Sequence, residues 1–294
     1  MADFTRSFGT LARVLAVLCA LAGAFAAPER AHAQTPLPAA SDTLREIHLA
    51  DGSVLIGRIE AVAGDRVTIV TQAGVRVELD RAQIRSALPV RVREGRVVRE
   101  DPTGTRLFFA PTGRSLAAGE GYFGVYELFF PFLTYGVTDR FTMAAGTPVV
   151  PGAIGEFAYV APKLTVIRSE RLNVGTGIFA GFAEGELGGI AYGVGTWGDR
   201  DNAFSGGVGF AFGDGEFFDQ PIVMLGGEMR AGPQLKLLTE NYIIPGEAGA
   251  LLSGGVRFFG ERISADAGVG ALIGNDGAEC CLPLVNFVYT FGRK

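Results

Sequence analysis

The sequence predicts an all-β chain: a transmembrane antiparallel β-barrel of about twelve strands, preceded by a small β module. Three observations point there. From Gly121 onward, segments of about ten residues alternate apolar with small or polar residues, the length a tilted strand needs to cross a bilayer. The connections between these segments alternate between short and longer, as they do where short turns face one side of a membrane and longer loops the other. Composition also breaks within the chain. No Phe, Tyr or Trp occurs between Gln34 and Gly104, whereas all 7 Tyr and the single Trp lie beyond it.

The first 33 residues read as an export signal. Arg6 and Arg13 precede the apolar run from Val14 to Ala27, which is short for a membrane-spanning helix, and Ala31-His32-Ala33 supplies a small-x-small cleavage site. Leu18 precedes Cys19, where a lipoprotein signal needs a small residue, so no lipid anchor is expected. Residues 34–41 read as a flexible leader.

Residues 42–90 carry short apolar runs separated by Gly and Asp turn chemistry: Ile47–Ala50, Val54–Ile59, Val67–Thr71 and Val75–Leu79. Several short strands in so little chain suggest a small SH3-like barrel. The run Leu49-Ala-Asp-Gly-Ser-Val-Leu-Ile-Gly-Arg-Ile59 resembles the opening strands of Sm-like modules. Some proteins of that shape bind RNA. An exported module lacking any aromatic for base stacking is not expected to, and no nucleic-acid partner is predicted. A docking or spacing role for an unknown periplasmic partner fits better. Residues 91–118 follow as a basic linker, with Arg91, Arg93, Arg96, Arg99 and Arg106 interrupted by Glu94, Glu100 and Asp101. It is suited to lie against anionic lipid head groups or to be a plain solvated linker, and residues 105–118 are candidates to fold inside the barrel as a plug.

The predicted barrel occupies 119–294. Alternation places strands near 121–129, 132–138, 141–149, 156–168, 171–183, 186–198, 203–213, 220–231, 233–242, 249–259, 262–273 and 282–291. Leu172, Val174, Ile178 and Phe182 share one face, and Asn173, Gly175, Gly177 and Phe179 share the other. Longer connections are expected at 150–155, 214–219, 243–248 and 274–281. The weakest pairing is that of the first two strands, because Phe129-Phe-Pro-Phe132 could instead bend a single strand. A soluble sandwich or lipocalin-like barrel is the main rival, but it would bury aromatics rather than space them along outward faces.

Arg106-Leu-Phe-Phe-Ala-Pro-Thr112, Gly119-Glu-Gly-Tyr122 and Tyr135-Gly-Val-Thr-Asp-Arg-Phe141 resemble bacterial outer-membrane barrel proteins that begin with a small SH3-like module. That resemblance implies an outer-membrane location, with lipid and the barrel-insertion machinery as partners, and no biochemical activity. The closing aromatics Phe287, Tyr289 and Phe291 resemble the C-terminal insertion signal, although Gly292-Arg-Lys294 follows where the aromatic usually ends the chain.

The chemistry-bearing residues point away from catalysis. Both His lie before the barrel, at positions 32 and 48, so a Ser-His or Asp-His site in the barrel is excluded. No cofactor, metal or enzymatic activity is expected. Cys280 and Cys281 fall in the expected last outer loop, where a vicinal disulfide, an intermolecular bridge and two free thiols are all open. By alternation Glu127, Lys163, Glu228, Arg230, Lys236, Glu240, Arg257 and Asp266 point into the lumen. There they either set the ion preference of a pore or pair to hold a closed barrel rigid, and the second is favoured because a lone buried charge is costly. Arg257 and Asp266 are expected on neighbouring strands two positions off register. The functional expectation is a narrow channel or transporter for a small or apolar solute. The rival is a non-conducting structural protein whose module docks a partner.

Overall fold

A computed structural model describes residues 40, 42–93, 96–149, 156–183, 185–213, 215–244, 249–274 and 277–292. The expected signal, the connection expected at 150–155 and residues 245–248 of the one expected at 243–248 lie outside the described residues. Two compact units divide near residue 100.

The N-terminal unit holds five antiparallel strands: β1 (Arg45–Leu49), β2 (Val54–Ala63), β3 (Arg66–Thr71), β4 (Arg76–Asp80) and β5 (Ile84–Pro89). Their order is β4-β3-β2-β1-β5, so the first strand joins the last to the rest of the sheet. Ile47, Ile59, Val67, Ile69 and Ile84 form its core. These β-branched residues suit a strand and here pack as one apolar cluster. Between β4 and β5 a single 3-10 turn, Arg81–Gln83, is held by a reciprocal cap: Asp80 accepts from the Ala82 N–H, and Gln83 accepts from the Asp80 N–H. Part of the basic linker belongs to this unit, as the short hairpin β6 (Arg91–Arg93) and β7 (Arg96–Val98).

The second unit is a closed antiparallel barrel of twelve strands. They are β8 (Gly121–Tyr126), β9 (Phe130–Gly136), β10 (Phe141–Gly146), β11 (Phe157–Arg168), β12 (Leu172–Ala183), β13 (Glu186–Gly198), β14 (Asn202–Gly213), β15 (Glu216–Gly232), β16 (Leu235–Ile244), β17 (Gly249–Phe259), β18 (Ile263–Gly274) and β19 (Gly277–Phe291). Each strand pairs with the next in sequence, and β19 closes the ring on β8 through Tyr289↔Phe123 and its neighbours. Closure leaves no sheet edge, which a spanning sheet requires because lipid cannot satisfy backbone hydrogen bonds.

The alternation has the sense the sequence predicts. Trp197, Phe204, Val208, Phe258, Val269 and Phe287 are exposed on the outside. Asn173, Thr196, Ser205, Glu228, Lys236, Arg257, Asp266 and Asn286 are buried on the inside.

The first two strands pair as expected instead of bending as one, while three other local expectations need correction. β8 and β9 form a hairpin, with Glu127 and Leu128 in the left-handed region at φ 48° and 64°. Glu127 therefore lies in a turn and not on a strand, and it still lines the cavity inside the barrel. The expected loops at 214–219 and 274–281 are mostly strand. Gly213 pairs with Glu216 and Gly274 with Gly277, so the strands extend to those positions. Cys280 and Cys281 consequently sit on β19 rather than in a loop. Cys281, at φ 71°, is the extra residue of a β-bulge opposite Gly270 and Ala271. Both are exposed free thiols with sulfurs 2.6 Å apart.

Candidate functional site

Residues 101–118 belong to the barrel unit and lie inside it. The segment doubles back as a tight loop: the Leu107 N–H donates to the Ala110 carbonyl at 2.9 Å, and the Thr112 N–H to the Thr105 carbonyl at 2.9 Å. Leu107 and Phe108 at its tip are fully buried. The barrel wall makes room through glycine. A Cβ on Gly226 would come within 2.3 Å of the Leu107 side chain, and one on the plug's own Gly113 within 2.2 Å of the Asn173 carbonyl. Gly113 is held there from both sides, its N–H donating to Thr196 Oγ1 at 2.9 Å and its carbonyl accepting from Thr165 Oγ1 at 3.0 Å.

Charge anchors the plug. Arg257 on β17 and Asp266 on β18 are direct cross-strand partners, not two positions apart. They form a side-on fork, with Nε to Oδ1 at 2.6 Å and Nη2 to Oδ2 at 3.1 Å. The plug supplies counterparts on either side. Arg106 Nη1 donates to Asp266 Oδ2 at 2.8 Å, and Asp101 Oδ2 accepts from Lys236 Nζ and Arg257 Nη1, each at 3.2 Å. Lys236 also donates to Glu228 at 2.6 Å, and Glu228 pairs in turn with Arg114 of the plug. Burial alone would push the Asp101 carboxyl up. The nearby Lys236 and Arg257 charges, helped by the Thr103 N–H, hold it well below the usual carboxylate range.

Two wall charges hold plug backbone instead of a charge. Glu240 Oε2 accepts from the N–H groups of Phe109 and Ala110 at 3.0 and 3.1 Å, while Oε1 accepts from the Tyr242 hydroxyl at 2.8 Å. Lys163 Nζ donates to the carbonyls of Thr112, at 2.9 Å, and Arg114.

Of the eight residues expected in the lumen, the plug contacts thus draw in Lys163, Glu228, Lys236, Glu240, Arg257 and Asp266. Arg230 stands apart, paired with Asp201 at 2.6 Å near the short turns and lying over the Phe259 ring. Glu127 accepts from the Val285 N–H at 3.1 Å in the β8–β9 turn. Asp101, Arg106 and Arg114 escaped the sequence reading as site residues. The signal for them was an Asp and two Arg flanking the apolar run Leu107–Ala110.

Beside the plug is a cavity of about 600 Å³. Thr105, Arg106, Phe109, Ala110 and Pro111 of the plug line it on one side. Its other walls are inward residues of the barrel, dominated by aromatics: Tyr122, Tyr126, Phe132, Tyr159, Phe179 and Tyr192 among them. The rings pack on one another. Tyr126 stacks on Phe132 at 3.9 Å between centroids, Tyr159 on Phe179 at 4.8 Å, and Phe109 of the plug tilts against Tyr126 at 5.1 Å. The chamber lies toward the end where β8 turns into β9 and β12 into β13. The other end carries the plug's last contacts: Ser115 Oγ donates to the Asp139 carbonyl at 2.6 Å, and the Ala118 N–H to Asp139 Oδ1 at 2.9 Å. Apolar walls with a few convergent polar groups are what small-molecule sites present.

No protein-family model and no curated protein matches the chain. Solved structures do. A KdgM porin is similar at 9% identity and a TM-score of 0.44, over 58% of this chain and 98% of that one. OccK5 (OpdH) of Pseudomonas aeruginosa matches at 9% identity and 0.34, over 81% and 90%. OmpT of Vibrio cholerae, expressed in the outer membrane, matches at 14% identity and 0.31, over 84% and 94%.

Proposed function

We propose that this chain is an outer-membrane barrel that takes up a small, largely apolar solute through a lumen closed at rest by residues 101–118. The observation that carries this reading is the aromatic chamber lying directly against a plug held by buried ion pairs. A polar pore would have a wet, charged lining. Here most of the lumen charges hold the plug, and the chamber beside it is mainly aromatic, with Arg106, Glu127 and Lys163 at its wall. The outward band of Trp197, Phe204, Phe258 and Phe287 supports contact with lipid. The short turns and the N-terminal module face the periplasm in this reading, the exposed Cys280 and Cys281 face outward, and the module docks a periplasmic partner.

Planar bilayers test it. The full chain should conduct ions poorly, and deletion of residues 101–118 should open a stable pore with a several-fold larger current. Liposomes carrying the full chain should admit an apolar dye faster than a sugar of similar size. A wide, steady conductance in the full chain would overturn the plugged reading. Silence in both forms, with no dye uptake, would favour a non-conducting structural protein.

A further inference from the structure

Arg106 is 2% exposed and lines the aromatic chamber. Its Nη1 donates to Asp266 and to the Leu107 and Phe108 carbonyls. Its Nε and Nη2 are buried and have no hydrogen-bond partner. These two atoms are the side-on edge of the guanidinium, the edge that matches the two oxygens of a carboxylate.

Elsewhere in this chain that same edge holds a carboxylate. Arg257 Nε and Nη2 grip Asp266, Arg99 grips Glu46 and Arg76 grips Glu60, each through this pair of nitrogens. Only in Arg106 among these four does the edge lack a partner, and the residue that carries it lines a cavity. Leaving charged donors unsatisfied away from water is costly, so such a group in a chamber wall points to a ligand. The Tyr126 ring lies over this guanidinium at 5.6 Å and holds its plane in place. Thr142 Oγ1, a second buried polar atom without a partner, belongs to another chamber-lining residue and sits opposite Lys163 in the β10–β11 pair.

Resting on the chamber reading above, we propose that the ligand is an amphipathic carboxylate. Its apolar chain or ring fills the aromatic chamber, and its carboxylate forms a side-on pair with Arg106 Nε and Nη2. The specificity this gives is for the head group. A neutral compound of the same shape keeps the apolar contacts and leaves the donors unpaired, a mismatch that typically costs a large factor in affinity.

The test uses the full chain in lipid nanodiscs and two soluble probes of equal size, 2-naphthoate and 2-naphthalenemethanol, titrated by calorimetry. The carboxylate should bind at least about tenfold more tightly than the alcohol. Arg106→Gln should lower carboxylate affinity by at least about tenfold more than alcohol affinity, and Arg106→Lys, which keeps the charge but not the fork, should restore the preference only in part. Reading the ratio of the two affinities, rather than either alone, separates loss of the head-group contact from a general loosening of the chamber. Equal binding of both probes to the unmodified chain overturns the head-group assignment and leaves the chamber standing. A preference that survives Arg106→Gln also overturns it. Binding of neither probe overturns the chamber reading itself, and this inference with it.

Discussion

The two units of this chain use the same two-residue alternation and turn it inside out. In the N-terminal sheet the inward residues are Ile47, Ile59, Val67 and Ile69, and the ion pairs Arg66–Glu78 and Arg76–Glu60 lie in water. In the barrel the inward residues include Arg257, Lys236, Glu240 and Asp266, each 0–1% exposed, while Trp197 and Phe258 are 66% and 55% exposed outside. A period of two only says that a strand has two different faces. Which face is buried depends on the solvent outside. Water drives isoleucine in, whereas in lipid, the surroundings proposed for the barrel, phenylalanine can stay out and the interior is left to polar groups that must satisfy one another.

The largest way to break this contrast is to strip one buried charge from the barrel. Arg257→Ala removes one of the two charged partners of both Asp266 and Asp101, neither of which can reach water. Breaking a buried pair on one side costs roughly 3–5 kcal/mol. Denaturant unfolding in lipid vesicles should show a loss of that order, with the plug becoming sensitive to protease between residues 101 and 118. Replacing the pair together, Arg257→Met with Asp266→Leu, should recover only part of the loss, because Asp101 keeps Lys236 but Arg106 is left without Asp266. A single variant as stable as the unmodified chain would mean that the ion network does not hold the plug.

The barrel was legible because alternation is a local property. Each of the twelve strands could be placed to within a few residues from its own ten or so positions, and the largest errors were at Glu216–Asp219 and Gly277–Cys281, where strand ends carrying acids beside Gly-containing turns look like loop. Alternation also puts Lys236 and Arg257 on the inner face. It could not supply their partners. Asp101 is 135 residues from Lys236 and 156 from Arg257, and nothing local joins them. The same holds for the chamber. Tyr122, Tyr159 and Tyr192 stand on three different strands, and only closure of the ring brings them to one cavity. Register was legible only to within a step or two, as the direct Arg257↔Asp266 pair shows: a slip of two residues preserves the facing of every side chain.

A charge on the outside sharpens the contrast from the other direction. Val208 lies in the middle of β14 and is 46% exposed. Val208→Arg should cost about 2–4 kcal/mol in vesicles, the price of an arginine near the bilayer midplane. Val75 in the N-terminal unit is 57% exposed, and Val75→Arg there should leave unfolding unchanged, since water accepts the charge. If the two substitutions proved equally harmless, the outer face of the barrel would not be in lipid, and the soluble-barrel rival would regain its standing.

The smallest effect comes from a contact that matches the largest in geometry. Arg76 meets Glu60 through Nε to Oε2 at 3.0 Å and Nη2 to Oε1 at 2.8 Å, the same fork that joins Arg257 to Asp266. The side chains of Arg76 and Glu60 are 72% and 41% exposed, whereas those of Arg257 and Asp266 are fully buried. Water and salt compete for the first pair and cannot reach the second. Arg76→Ala should therefore leave amide exchange across β2, β3 and β4 unchanged within error at physiological salt, because removing the arginine leaves Glu60 solvated rather than stranded. Amide exchange in the full chain reads this directly, strand by strand. A loss of protection in β2–β4 comparable to what Arg257→Ala does to the barrel would show that contact geometry, not the surrounding solvent, sets the strength of these pairs.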